Sequence, residues 1–156
     1  MKSLEQWLEE YGESHQNPTN KKIHILAVPA IMLSIVGLLW CIPSPLESTA
    51  IYAKPAGAIL ALISLYYIFL SLKVFVGMLL FVIGSLTLCY KLESIGIPIL
   101  EVSIGIFVVA WIFQFIGHKI EGKKPSFFQD IQFLLIGPAW VMEYFFSVNT
   151  KKKGKA

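Results

Sequence analysis

The chain has 156 residues, of which 56% are hydrophobic and 15% charged, and its mean hydropathy is +0.67. Soluble domains carry about 45–50% apolar and about 25% charged residues, so a water-soluble globule and a disordered chain are both excluded; lipid is the solvent for most of this protein. All thirteen cations are lysine, against ten carboxylates, for a net charge of +3. No soluble face concentrates them as a nucleic-acid binder would. The two cysteines, Cys41 and Cys89, lack CxxC spacing, which excludes a thiolate zinc site or a disulfide framework. Both read as small apolar packing residues.

Residues 1–22 are polar and do not read as a signal peptide. Leu4, Trp7, Leu8 and Tyr11 fall at i, i+3, i+4 and i+7, which predicts an amphipathic helix lying on the membrane surface or against the rest of the protein. Four apolar stretches follow, at 25–42, 55–72, 74–90 and 97–117, each long enough to span a bilayer. Lys73 alone separates the second from the third, so those two are expected to form a tight helical hairpin. The stretch 131–147 contains Gly137-Pro138 and Glu143; proline removes a backbone donor and disfavours helix before it, so a broken last helix is expected there. A basic tail, 148–156, closes the chain.

Lysine placement bears on topology. If all five stretches cross, lysines divide almost evenly between the two sides. If the fifth dips in and returns, only Lys54 and Lys91 lie outside, and the positive-inside rule prefers that arrangement. The expected fold is therefore an all-α integral membrane protein, one multi-pass domain with a small bundle of four to five transmembrane helices. Both termini are placed in the cytoplasm. No internal repeat suggests a transporter, and nothing in the sequence specifies an oligomer.

The three histidines, His15, His24 and His118, all fall on the cytoplasmic rim in either topology. Histidine is the commonest metal ligand, and three on one rim form a candidate metal site; the alternative is three unrelated interfacial histidines. Asn17 can cap a helix that begins at Pro18, His24 follows Asn20 by four residues on one helix face, and His15 sits just before the cap. Gln114, His118 and Glu121 share a face in the same way. Glu121 reads either as a carboxylate ligand, as a group that orients His118, or as a solvated loop charge. Asn17 and Asn20 are candidate site residues, with simple capping as the alternative for Asn17. Glu143, ionisable and inside an apolar helix, is a functional candidate by default. Three imidazoles without a thiolate suit Fe(II) or Zn(II), and haem held by His24 and His118 stays open.

The two histidine stretches together resemble a known family. The run Tyr11-Gly-Glu-Ser-His15-Gln-Asn17-Pro-Thr-Asn20-Lys-Lys-Ile-His24 with Val28-Pro29, and the run Gln114-Phe-Ile-Gly117-His118-Lys-Ile-Glu121-Gly-Lys-Lys-Pro125 continuing to Gln132, Gly137-Pro138 and Glu143, are similar in order and spacing to the motifs of the fungal and bacterial 2-hydroxy fatty acid dioxygenases. These are relatives of the enzyme that turns phytosphingosine into odd-numbered fatty acids. The resemblance covers nearly the whole chain. It implies an Fe(II)-dependent dioxygenase that uses O₂ as co-substrate and leaves a fatty acid one carbon shorter. It further implies His15, His24 and His118 as ligands, a membrane bundle holding the acyl tail, and a site at the cytoplasmic interface where carboxylate and 2-hydroxyl emerge and can chelate the metal. Lys22, Lys119 and Lys124 would favour the anionic headgroup, although topology explains these lysines equally well. The host membrane would be the endoplasmic reticulum in a eukaryote and the inner membrane in a bacterium.

Three other classes fit the residues taken alone. A non-catalytic scaffold or small transporter would bind no metal. A bis-His haem carrier would show a Soret band, and a zinc-dependent lipid hydrolase would hold zinc and consume no O₂.

Overall fold

Helix boundaries in this protein follow local capping chemistry. Ser3 accepts a hydrogen bond from the Gln6 backbone amide at 3.3 Å while the Gln6 side chain accepts from the Ser3 amide at 2.9 Å, a reciprocal capping box that starts α1 (Leu4–Glu13). Asn17 Oδ1 accepts from the Thr19 amide at 2.8 Å, and Pro18, whose missing N–H costs nothing at a first helical position, opens α2 (Pro18–Trp40). Pro55 opens α3 (Pro55–Leu70) in the same manner. Ser71, in extended conformation, separates α3 from α4 (Leu72–Ser94). Gly96 at φ 80° ends α4, with Ile97 donating back to the Leu92 carbonyl at 3.0 Å, the left-handed glycine stop that spares a Cβ. Then comes α5 (Ile99–Glu121), closed by Gly122 at φ 74°.

The computed structural model describes residues 3–44, 54–122 and 135–144. Residues 135–144 form a further helix, α6, and every regular element among the described residues is helical. Lys123, Lys124, the tail 148–156 and the flanks of the 131–147 stretch lie outside them. Three helices, α2, α4 and α5, are each 23 residues long and apolar enough to cross a membrane; at 1.5 Å per residue each is about 35 Å, longer than the roughly 30 Å hydrocarbon core. The apolar α3 is shorter. Large apolar residues on outer faces, such as Leu80 and Ile83 on α4 and Val108 and Phe115 on α5, are about half exposed or more. That pattern is unfavourable in water and natural in lipid.

Three boundaries differ from the sequence expectation. The last long helix runs beyond its apolar window, to Glu121, because the polar turn at its end satisfies helical hydrogen bonding as well as an apolar one does. The hairpin breaks at Ser71 rather than Lys73, which lies in the first turn of α4. The Gly137-Pro138 pair does not interrupt the helix, for 135–144 is one helical run.

The chain forms two compact units, one of Met1–Pro29 with Ile112–Ala156 and the other of Ala30–Trp111. In the second, α3 packs along α4; Ala56, Leu60, Ser64 and Tyr67 are buried on the one helix and Val74, Met78, Val82, Ser85 and Cys89 on the other. Val36, Trp40, Leu60, Val82, Cys89 and Ile99 form its core, and both cysteines are free. Lys54 places its ammonium 4.8 Å over the Trp40 ring and 3.3 Å from Glu93. The first unit brings together α1, the start of α2, the end of α5 and α6. A Cβ on Gly137 of α6 would lie 3.3 Å from the Tyr11 hydroxyl and 3.4 Å from Val28, so α6 seats directly against α1 and α2.

Candidate metal centre

The first unit converges on the three histidines. His15 follows α1, His24 lies on the second turn of α2, and His118 is in the last turn of α5. Their ring centroids are 4.3 Å apart for His15–His24, 5.0 Å for His24–His118 and 5.7 Å for His15–His118. Their potential ligand nitrogens all lie within 4.8 Å of one another. His15 and His24 are buried, at 2% and 1% exposure.

Two backbone carbonyls settle which nitrogen faces the cluster. His15 Nδ1 is 2.6 Å from the Tyr11 carbonyl and His24 Nδ1 is 3.1 Å from the Asn20 carbonyl. A carbonyl only accepts, so each Nδ1 carries the proton and each Nε2 keeps its lone pair. His15 Nε2 is buried with no hydrogen-bond partner. Metal-binding histidines characteristically donate the second N–H to a carbonyl or carboxylate, which is the arrangement here. Burial, with the charges of His118 and Lys21 adding to it against the Tyr11 hydrogen bond and Glu121, pushes the His15 pKa down to about 4, so its imidazole is neutral at physiological pH. A buried, partnerless lone pair in a set of three convergent imidazoles fits a divalent transition metal.

Glu121 takes a different place from the one expected of a ligand. Its carboxylate accepts from the Gln16 amide at 2.7 Å, from the Asn17 amide at 3.0 Å and from the Asn20 side chain at 2.8 Å. It thus ties the end of α5 to the turn between α1 and α2, an anion set against a helix N-terminus. Among the described residues neither Glu121 nor Glu143 joins the cluster of potential metal donors. Asn17 caps α2. Asn20, fully buried, spends its amide N–H groups on Glu121 and on the Ser14 carbonyl at 3.4 Å. Lys22 and Lys119 are exposed, Lys124 lies outside the described residues, and the half-buried Lys21 is the lysine whose charge is felt at His15. Glu143 is half-buried on α6.

Three contributors escape a reading of the sequence. Tyr11 stacks on His15 at 4.1 Å and 7°; its i, i+4 spacing to His15 was a visible signal. Trp140 of α6 closes on both, 5.3 Å from Tyr11 and 5.6 Å from His15, and nothing distinguishes it within its apolar stretch. Gly117 abuts α2: a Cβ there would run into Asn20 Oδ1 and lie 3.2 Å from the His24 ring.

Fold and site together define a class, a helical membrane protein with three convergent imidazoles, two of them buried, that could hold a metal ion. Residues 1–148 match the family described as 2-hydroxy-palmitic acid dioxygenase Mpo1-like, and the chain belongs to that family. It is similar to the 2-hydroxy-palmitic acid dioxygenase MPO1 of Saccharomyces cerevisiae, with 26% identity over 153 residues that cover 94% of this chain and 82% of the yeast protein. No solved structure matches.

Proposed function

We propose that this protein is an iron-dependent membrane dioxygenase that shortens long-chain 2-hydroxy fatty acids by one carbon. The observation that carries the reading is the His15–His24–His118 cluster, with His15 Nε2 buried and unpartnered, in a chain of the 2-hydroxy-palmitic acid dioxygenase Mpo1-like family. These three residues would hold the ion, and a bound iron would supply activation of O₂.

The chain's own groups do the rest. The carbonyls of Tyr11 and Asn20 hold two imidazoles in the metal-ready tautomer. Glu121, through Asn17 and Asn20, holds the turn that carries His15. Tyr11 and Trp140 cover the cluster and exclude water. Lys21, with the exposed Lys22 and Lys119, draws the substrate carboxylate to the rim; Lys124 is assigned the same role by its sequence motif, and the positive-inside rule favours the cytoplasmic side for this rim. The apolar helices take the acyl tail. Glu143, about one turn from Trp140, is the candidate acid–base group.

The test is metal analysis and O₂ uptake with protein purified without oxygen. Iron should be present, and 2-hydroxy acids should drive O₂ consumption with the shortened acid as product. Each added methylene should gain about 0.8 kcal/mol at most until the tail site is full. Moving the hydroxyl to the 3-position shifts it off the carbon beside the carboxylate, so 3-hydroxy acids should be poor substrates. Iron-loaded protein that takes up no O₂ with any long-chain 2-hydroxy acid defeats the reading, as does zinc in place of iron or a haem Soret band.

A further inference from the structure

Of the buried polar side chains in the first unit, His15, Asn20 and His24 belong to the histidine cluster, and Gln114 is the other among the described residues. Gln114 is 7% exposed, and its Oε1 is buried without a hydrogen-bond partner. An unpaired amide oxygen in an apolar interior is costly, and a native protein that keeps one has something else to satisfy it.

The register of α2 against α5 locates this oxygen. Asn20 meets Glu121, and one turn on His24 meets Gly117. The two helices run antiparallel there, so the next turn brings Gln114 level with Ala27 and Val28, both buried. Neither of those side chains has a proton to donate. Gln114 therefore stands one turn below His118 on the same face of α5, at the level where the polar cluster gives way to apolar packing.

A carboxamide oxygen with no partner needs a donor. On the proposed substrate the ionised carboxylate only accepts, and the alkyl chain does neither. The 2-hydroxyl is the one donor, and it sits where head meets tail. Resting on the dioxygenase reading, we infer that Gln114 is the specificity-determining residue that accepts the hydrogen bond of the substrate 2-hydroxyl. A site built to pair a hydroxyl rejects the analogue that lacks it, because its own polar group is then left buried and unpaired. Gln114 thus distinguishes 2-hydroxy acids from the ordinary fatty acids that fill the same membrane.

The experiment uses the full chain in lipid nanodiscs without metal, so that iron chelation does not contribute. 2-Hydroxypalmitic, 2-methoxypalmitic and palmitic acids compete against a fluorescent fatty acid. The wild type should favour the 2-hydroxy acid over palmitic acid by about tenfold, the worth of one neutral hydrogen bond. The methoxy acid, which keeps the oxygen and loses the proton, should bind no better than palmitic acid. Gln114→Met, isosteric and apolar, should erase the preference and leave palmitic acid affinity and iron loading unchanged. Retained preference in Gln114→Met, or a methoxy acid bound as tightly as the hydroxy acid, overturns the role of Gln114 and leaves the dioxygenase reading standing. A wild type that binds none of the three acids overturns both. Should Gln114→Met fail to fold, the wild-type comparison of hydroxy and methoxy acids still decides.

Discussion

Asn20 donates its side-chain amide to Glu121 across 2.8 Å, joining residues 101 positions apart in the chain. The same carboxylate accepts the backbone amides of Gln16 and Asn17, so one side chain at the end of α5 sets the start of α2 and the turn that bears His15. This makes Glu121 an organiser of the centre. Glu121→Gln keeps the shape but replaces one acceptor oxygen with a donor that faces backbone N–H groups. The expected result is a loss of about 1–2 kcal/mol of stability, from weakened charge-assisted hydrogen bonds, with iron still bound. Iron analysis and thermal unfolding of the variant check this; complete loss of iron in a folded variant would make Glu121 a ligand.

Each histidine should be separately indispensable to metal binding. Changing a group that merely orients a ligand typically costs 10–100-fold in affinity, and removing a ligand should cost at least that. His15→Ala, His24→Ala and His118→Ala should each fold, lose most of their iron and lose turnover. A folded variant that keeps full iron content removes that residue from the site.

Gly117 and Gly105 lie on the same helix and should respond in opposite directions to alanine. A Cβ on Gly117 collides with Asn20 and crowds the His24 ring, whereas one on Gly105 meets nothing within 4 Å. Alanine is the better helix former by about 0.5–1 kcal/mol. Gly105→Ala should therefore be neutral to stabilising. Gly117→Ala should lower both melting temperature and iron content, and a stable, fully loaded Gly117→Ala would contradict the close approach of α2 and α5.

Acid should destabilise the metal-free protein. His15 titrates at about 4 in the fold against 6.5 for the unfolded group. Between those values the unfolded chain binds more protons, so stability rises with pH across that window and His15 adds no further change above it. Melting temperatures of metal-free protein should fall as pH drops from 7 toward 4.5, and His15→Asn should flatten part of that slope. An unchanged slope in His15→Asn would mean the imidazole is not held neutral by burial.

Much of the protein is legible in its sequence for one reason: local chemistry decides it. Hydropathy dictates helices in lipid, as α2, α4 and α5 demonstrate. Asn17 with Pro18 announces the start of α2 whatever surrounds it. Histidine is scarce enough in this chain that its three copies suggest one site from the sequence alone. Tertiary structure decided what depends on partners remote in sequence. A carboxylate such as Glu121 looks the same as ligand or as strut until Gln16, Asn17 and Asn20 are brought to it. Trp140 is one more apolar residue until α6 seats against Tyr11 and His15, and Gln114 is an ordinary helical amide until packing buries its oxygen without a partner. Capping and hydropathy act over a few residues of chain, whereas hydrogen-bond partnership and burial are set by segments about a hundred residues apart, and only the fold brings those together.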